Sequence, residues 1–135
     1  MENSIGKVVQ KSQAGFYFVF RVLVGLLFFQ HGAQKLFGWF GGQSVELMSL
    51  MGLAGTVEFF GGLAIALGLF TRLAALGSGL IMIGAYVKVH LPMGMIPIVN
   101  KGELALLFLA CFLVLVVWGA GKLSLEKALW KKELF

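Results

Sequence analysis

Glu58 lies in a stretch from Thr56 to Arg72 that is otherwise apolar enough to cross a bilayer, with Gly61 and Gly62 about one turn further on. Ionisable groups in such a setting are costly, and they face a bundle interior or a polar cavity rather than lipid. A second set precedes it: Arg21, Val24, Phe28, His31 and Lys35 follow one another at three- and four-residue steps. On a helix that spacing gathers the three basic or titratable groups on one stripe. His90 and Glu103 complete the candidates. A partly buried carboxylate and an imidazole are the groups that take and give protons near neutral pH. Glu58 and His31 are therefore the candidate catalytic residues, and Arg21, His31, Lys35, Glu58, His90 and Glu103 the candidate ligand-binding set. An inter-helix ion pair that only fixes packing accounts for Glu58 equally well, and for Lys35, Lys88 and Glu103 so does plain satisfaction by water and the helix dipole. These alternatives stay open on the residues alone.

Other chemistries lack their parts. The acids and histidines are too sparse for a metal-ligand set, and no glycine pair is followed by Lys-Ser or Lys-Thr as a phosphate-cradling loop requires. A haem between His31 and His90 is not expected, because His90 sits two residues before Pro92, where a helix frays. The single cysteine, Cys111, excludes an internal disulfide and reads as apolar filler.

The scaffold that holds these residues is set by composition. Of 135 residues, 59% are hydrophobic and 13% charged, and the mean hydropathy is +0.94. A soluble domain carries roughly a quarter charged residues, and so small a domain cannot hide the excess, since roughly a third of the surface of its unfolded chain stays exposed. The solvent for most of the chain is lipid. The net charge of +5 then marks a membrane face and not nucleic acid, because no basic run with interleaved aromatics is present.

The pattern predicts a single all-α membrane domain over 1–135: a four-transmembrane-helix bundle with helices at about 14–37, 47–70, 73–89 and 102–118 and a short C-terminal interfacial amphipathic helix at about 124–134. Lys7 and Lys11 before an apolar run resemble a signal peptide, but Arg21 interrupts the run and no small-x-small cleavage site comes after it, so the segment is expected as a mature helix. Lys7, Lys11, Arg72, Lys122, Lys127, Lys131 and Lys132 fall on one side, against Lys35, Lys88 and Lys101 on the other. This asymmetry predicts cytoplasmic N and C termini. Counting from Arg72 at 1.5 Å per residue puts Glu58 about 21 Å away, in the outer third of the hydrocarbon. His31, Lys35, Lys88, His90 and Glu103 are expected at the same outer side.

Several residues together resemble a known family. Arg21, then His31-Gly32, Lys35-Leu36-Phe37-Gly38, Glu58-Phe59-Phe60-Gly61-Gly62, Leu67-Gly68-Leu69-Phe70-Thr71-Arg72, Val89-His90, Gly102-Glu103-Leu104-Ala105 and Gly119 to Glu126 are similar to the signature of the DoxX family. The tail differs mildly, with Ala120 where proline is common and Glu126 where aspartate is common. The resemblance implies a four-helix protein of the bacterial or archaeal cytoplasmic (inner) membrane. Some relatives are subunits of thiosulfate:quinone oxidoreductase, and others belong to oxidoreductase complexes working with soluble sulfur-metabolism or superoxide-detoxifying enzymes. The matching motif residues are Arg21, His31, Lys35, Glu58, Arg72, His90 and Glu103, without individual roles.

Three functions compete. The first is a membrane subunit of an oxidoreductase system offering a quinone head-group site near the outer surface. The second is a non-enzymatic anchor or assembly partner whose polar cluster only fixes packing. The third, a proton or solute transporter, lacks the broken helices and inverted repeats such proteins carry. The partners expected are the lipid bilayer, proteins of an oxidoreductase complex and a second copy of the chain, with no nucleic acid. Quinone is the cofactor to test.

Overall fold

A computed structural model describes residues 3–135 and contains no strand among them. A short amphipathic helix, α1 (Ser4–Lys11), precedes α2 (Gln13–Phe37); α3 (Leu50–Leu67), α4 (Thr71–Ala85), the single turn α5 (Pro97–Asn100), α6 (Glu103–Trp118) and α7 (Leu125–Trp130) come after. Two spans, 25-residue α2 and 18-residue α3, are long and apolar enough to cross a membrane. So is the 23-residue segment Thr71–Met93, formed by α4 and its continuation. At 16 residues α6 is apolar but shorter, about 24 Å at the helical rise.

Local chemistry places the ends differently from the sequence expectation. The second helix starts at Leu50 and not at 47, because Ser49 is its N-cap and its Oγ accepts from Gly52 N at 3.0 Å. It stops at Leu67 and not at 70, because Gly68 takes the left-handed conformation (φ 74°) that ends helices. Glu58 is then eight residues from the first residue of α3 and nine from the last, about 12 and 13 Å, so it sits near the helix midpoint. The third span runs past the expected end at 89: Tyr86–His90 form a π-helical turn and Leu91–Met93 a 3₁₀ turn. The tail helix has the expected cap, Ser124, but ends at Trp130, where Lys131 turns left-handed (φ 56°).

Spatially the helices keep the order α2, α3, α4, α6, and α2 meets α6 to close the bundle. The α2–α3 contact is the closest. A Cβ on Gly25 would come 2.6 Å from Gly62 O, one on Gly62 2.7 Å from Gly25 O, and one on Gly32 2.7 Å from Gly55 O. Two glycine pairs at heptad spacing thus bring antiparallel backbones together where lipid offers no hydrophobic drive. On the opposite flank of α2, Phe28 packs edge-on against Phe112 (centroids 4.7 Å) and near Phe108 (5.3 Å), with Ile65, Ala75, Met82 and Leu115 filling the rest of the core. The outward faces carry exposed leucines and phenylalanines such as Leu23, Leu27, Phe60, Leu73, Leu80 and Leu107. Such a surface suits lipid.

Candidate functional site

Polar side chains collect at the two ends of the bundle. At the end where α2 begins and α3 finishes they bind the tail. Arg21, 1% exposed, donates from Nη1 to Ala120 O (2.5 Å) and Leu123 O (2.8 Å) and from Nη2 to Ala66 O (3.4 Å). Tyr17 donates its hydroxyl hydrogen to Gly119 O. Arg72 donates to the carbonyls of Val116 (3.1 Å) and Val117 (3.3 Å), closing the last turn of α6, and approaches Glu133 at 3.5 Å. Glu126 is fully buried: its N–H donates to Gly68 O (3.2 Å) and its Oε1 accepts from Phe70 N (3.2 Å). The tail helix is docked on the α3–α4 turn by these bonds, a stronger attachment than an interfacial float.

The opposite end holds a cavity of about 210 Å³. Phe28, His31 and Lys35 reach it from α2 and Glu58 from α3; Met82, Ala85 and His90 line it from the third span, and Lys101, Leu104, Ala105 and Phe108 from the start of α6. Lys35 Nζ lies 2.8 Å from Glu58 Oε1 and 2.7 Å from Oε2, with the Glu58 side chain 4% exposed. His31 sets its ring edge-on to Phe108 (5.9 Å) and makes no hydrogen bond within the described residues.

His90 is placed by the π turn, which adds one residue to the helical repeat and so re-aims the side chains beyond it; such turns recur at functional sites. Its Nδ1 is 3.0 Å from Asn100 O. A carbonyl only accepts, so Nδ1 carries the hydrogen, and a neutral ring presents Nε2 as an acceptor. Asn100, itself fully buried, organises this rim: Nδ2 donates to Tyr86 Oη (3.1 Å) and Gly94 O (2.9 Å), and Oδ1 accepts from Gly102 N (2.8 Å).

Of the six residues the sequence singles out for ligand binding, four meet here: His31, Lys35, Glu58 and His90. Arg21 is at the other end. Glu103 is exposed beside the cavity, in a shallow depression with Pro97 and Leu107. Sequence reasoning missed Lys101 in the cavity wall, Asn100 behind it, and Glu126 under the tail. Lys101 carries a hint, since a lysine just before a membrane helix belongs to the rim. The burial of Asn100 and Glu126 depends on loop and tail folding back, which periodicity does not encode. Among the described residues no cluster of histidine, cysteine, aspartate and glutamate is suited to a metal.

The family model for DoxX matches residues 16–91, from the first turn of α2 to the rim of the cavity. A relative from Haemophilus influenzae, "Uncharacterized protein", is 34% identical over 131 residues, 92% of this chain and 98% of its own. The chain belongs to the DoxX family. A second relative, the Bacillus subtilis "Putative oxidoreductase CatD", is 31% identical over 118 residues, covering 82% of this chain and 84% of its own. No solved structure matches. The DoxX match contains His31, Lys35, Glu58 and His90 and stops short of Asn100 and Lys101.

Proposed function

We propose that this DoxX protein is a membrane subunit of an oxidoreductase system and that its cavity receives a quinone head group. The observation that carries the reading is the lining itself: a carboxylate–ammonium pair and two imidazoles above the Phe28 and Phe108 rings. The name of the Bacillus subtilis relative supports the reaction class. The volume, about 210 Å³, is below the roughly 300–1,000 Å³ of pockets that enclose a whole drug-sized ligand. It suits one ring, with any isoprenoid tail outside in lipid. A bound quinone supplies a two-electron, two-proton acceptor. The chain's residues bind and handle protons: His31 and Lys101 donate hydrogen bonds to an oxygen, His90 Nε2 accepts one, and the Phe28 and Phe108 rings exclude water below. Glu58 and Lys35 share a short contact on which a proton is held at Nζ or at a carboxylate oxygen. Purification in mild detergent with quinone extraction tests this: quinone retained by the natural protein and lost by Glu58→Gln is expected. Protein that carries none, with no change in quinone-coupled membrane activity in Glu58→Gln, overturns it.

A second reading rests on the same pair. Both Glu58 oxygens are engaged by Lys35, so the cluster is complete as a device that joins α2 to α3 in a protein that anchors or assembles partners. In that case Glu58→Gln lowers thermal stability and the recovery of copurifying chains in proportion. Recovery of the protein alone under every mild condition counts against it.

A further inference from the structure

Arg21 is a full charge taken out of water and surrounded by dipoles. Three carbonyls accept from Nη1 and Nη2, no carboxylate of the described residues pairs with it, and its Nε is buried with no hydrogen-bond partner among them. Taking an ion out of water is costly unless it is both paired and hydrogen-bonded. Beside Arg21 runs a groove of about 640 Å³ that Lys122 and Lys127 also line. No acid lines it; Glu126, on the same tail helix, is fully buried and turned to Phe70 N. Apart from Ser124, which is buried, the remaining wall is apolar, with Phe18 39%, Leu67 43% and Leu125 37% exposed. The groove therefore joins an unbalanced positive end to an open apolar face, at the end of the bundle where the spans α2 and α3 meet the membrane surface.

We infer that this groove binds an anionic phospholipid, the phosphate held by Lys122 and Lys127 beside the buried charge of Arg21 and an acyl chain lying along Phe18 and Leu67. A free phosphate shares the head-group chemistry but has no use for the apolar wall. Bound lipid supplies the missing counter-charge and adds a tie between α2, the end of α3 and the docked tail. The site is separate from the cavity at the other end and does not depend on a quinone.

Native mass spectrometry of the full chain in mild detergent, titrated with phosphatidylglycerol or phosphatidylcholine, tests it. The natural protein retains phosphatidylglycerol preferentially. Each basic residue near an anionic head group contributes roughly a fivefold factor in affinity, so Lys122→Gln/Lys127→Gln weakens retention about 30-fold. Arg21 variants are liable to misfold, so the comparison is made with Lys131→Gln/Lys132→Gln, the same charge change on exposed tail residues outside the groove. That variant retains phosphatidylglycerol within about twofold of the natural protein. Equal retention of the two lipids, or equal loss in both double variants, overturns the site. Displacement of phosphatidylglycerol by millimolar inorganic phosphate overturns the lipid in favour of a free anion.

Discussion

Lys35 Nζ bridges both carboxylate oxygens of Glu58, at 2.7 and 2.8 Å, across the α2–α3 contact. The two partners are not equally sheltered: the Lys35 side chain is 23% exposed and that of Glu58 4%. A long lysine freed from its partner reaches polar surroundings, whereas a carboxylate left behind in the bundle does not. Lys35→Met is therefore the more damaging single change, costing about 3–5 kcal/mol, the range for a buried pair broken on one side. Glu58→Leu costs roughly half that, and Lys35→Met/Glu58→Leu is close to neutral, because matched apolar replacement removes both desolvation costs. Thermal unfolding of the four proteins in one detergent checks the cycle. Equal additive losses would show that the pair is not coupled.

Glycine positions give a second, steric prediction. Gly62→Ala puts a methyl 2.7 Å from Gly25 O and against the backbone of Phe29, neither of which is a movable side-chain tip. The helices must separate, and a loss of roughly 2–4 kcal/mol is expected from overpacking and forfeited contact. Gly77 on α4 is the internal control, since nothing lies within 4 Å of its Cβ position. Gly77→Ala should gain up to about 1 kcal/mol from helix propensity. Opposite signs for the two Gly→Ala changes, read as detergent melting temperatures, are the expected outcome.

The three-and-four spacing of Arg21, His31 and Lys35 and the isolation of Glu58 were legible in the sequence because helical periodicity turns spacing into a shared face. That is why Lys35 and Glu58 do meet. The same stripe misleads about Arg21, which lies on the α2 face with His31 but ten residues away, about 15 Å along the axis, and so serves the other end. The expectation that Glu58 lies in the outer third counts from Arg72 as the inner boundary; the caps at Ser49 and Gly68 shorten the expected 47–70 helix by three residues at each end and leave Glu58 at its midpoint. Nothing local in the 94–102 loop announces that Asn100 is buried, or in the tail that Glu126 is. Their partners are in other segments, and only the closed fold brings those together.

The tail prediction rests on Glu126. Its carboxylate accepts from Phe70 N in a turn where Phe70 is itself left-handed (φ 47°), an uncommon conformation for a large side chain. Glu126→Ala removes that acceptor and leaves the partly buried N–H of Phe70 unpaired, at a cost of about 1–3 kcal/mol. The loss is local to the docked tail. Trypsin should then cut after Lys122 or Lys127 at least several-fold faster than in the natural protein, while cleavage after Lys88 or Lys101 at the other end is unchanged. A uniform rise at all sites would mean that the whole bundle, and not the tail, had loosened.

Asn100 is where stability and the candidate site are joined. Its amide donates twice, to Tyr86 Oη and Gly94 O, while its own carbonyl oxygen accepts from Gly102 N and its main-chain carbonyl receives Nδ1–H of His90. Asn100→Asp keeps the shape and the Gly102 bond but turns the double donor into an acceptor facing Gly94 O. A buried negative charge against a carbonyl is worse than a missing group. The near-isosteric Asp variant should therefore be at least as unstable as Asn100→Ala, with each losing about 2–4 kcal/mol on melting in detergent. The consequence for the site is read on His90 by ¹⁵N resonance of the imidazole. In the natural protein the neutral ring carries its hydrogen on Nδ1. When the 94–102 loop loosens in Asn100→Ala, the carbonyl that selects this tautomer shifts away, and the Nε2–H form should become populated. A His90 tautomer unchanged in a destabilised Asn100→Ala would show that the π turn alone, without the loop, orients the ring.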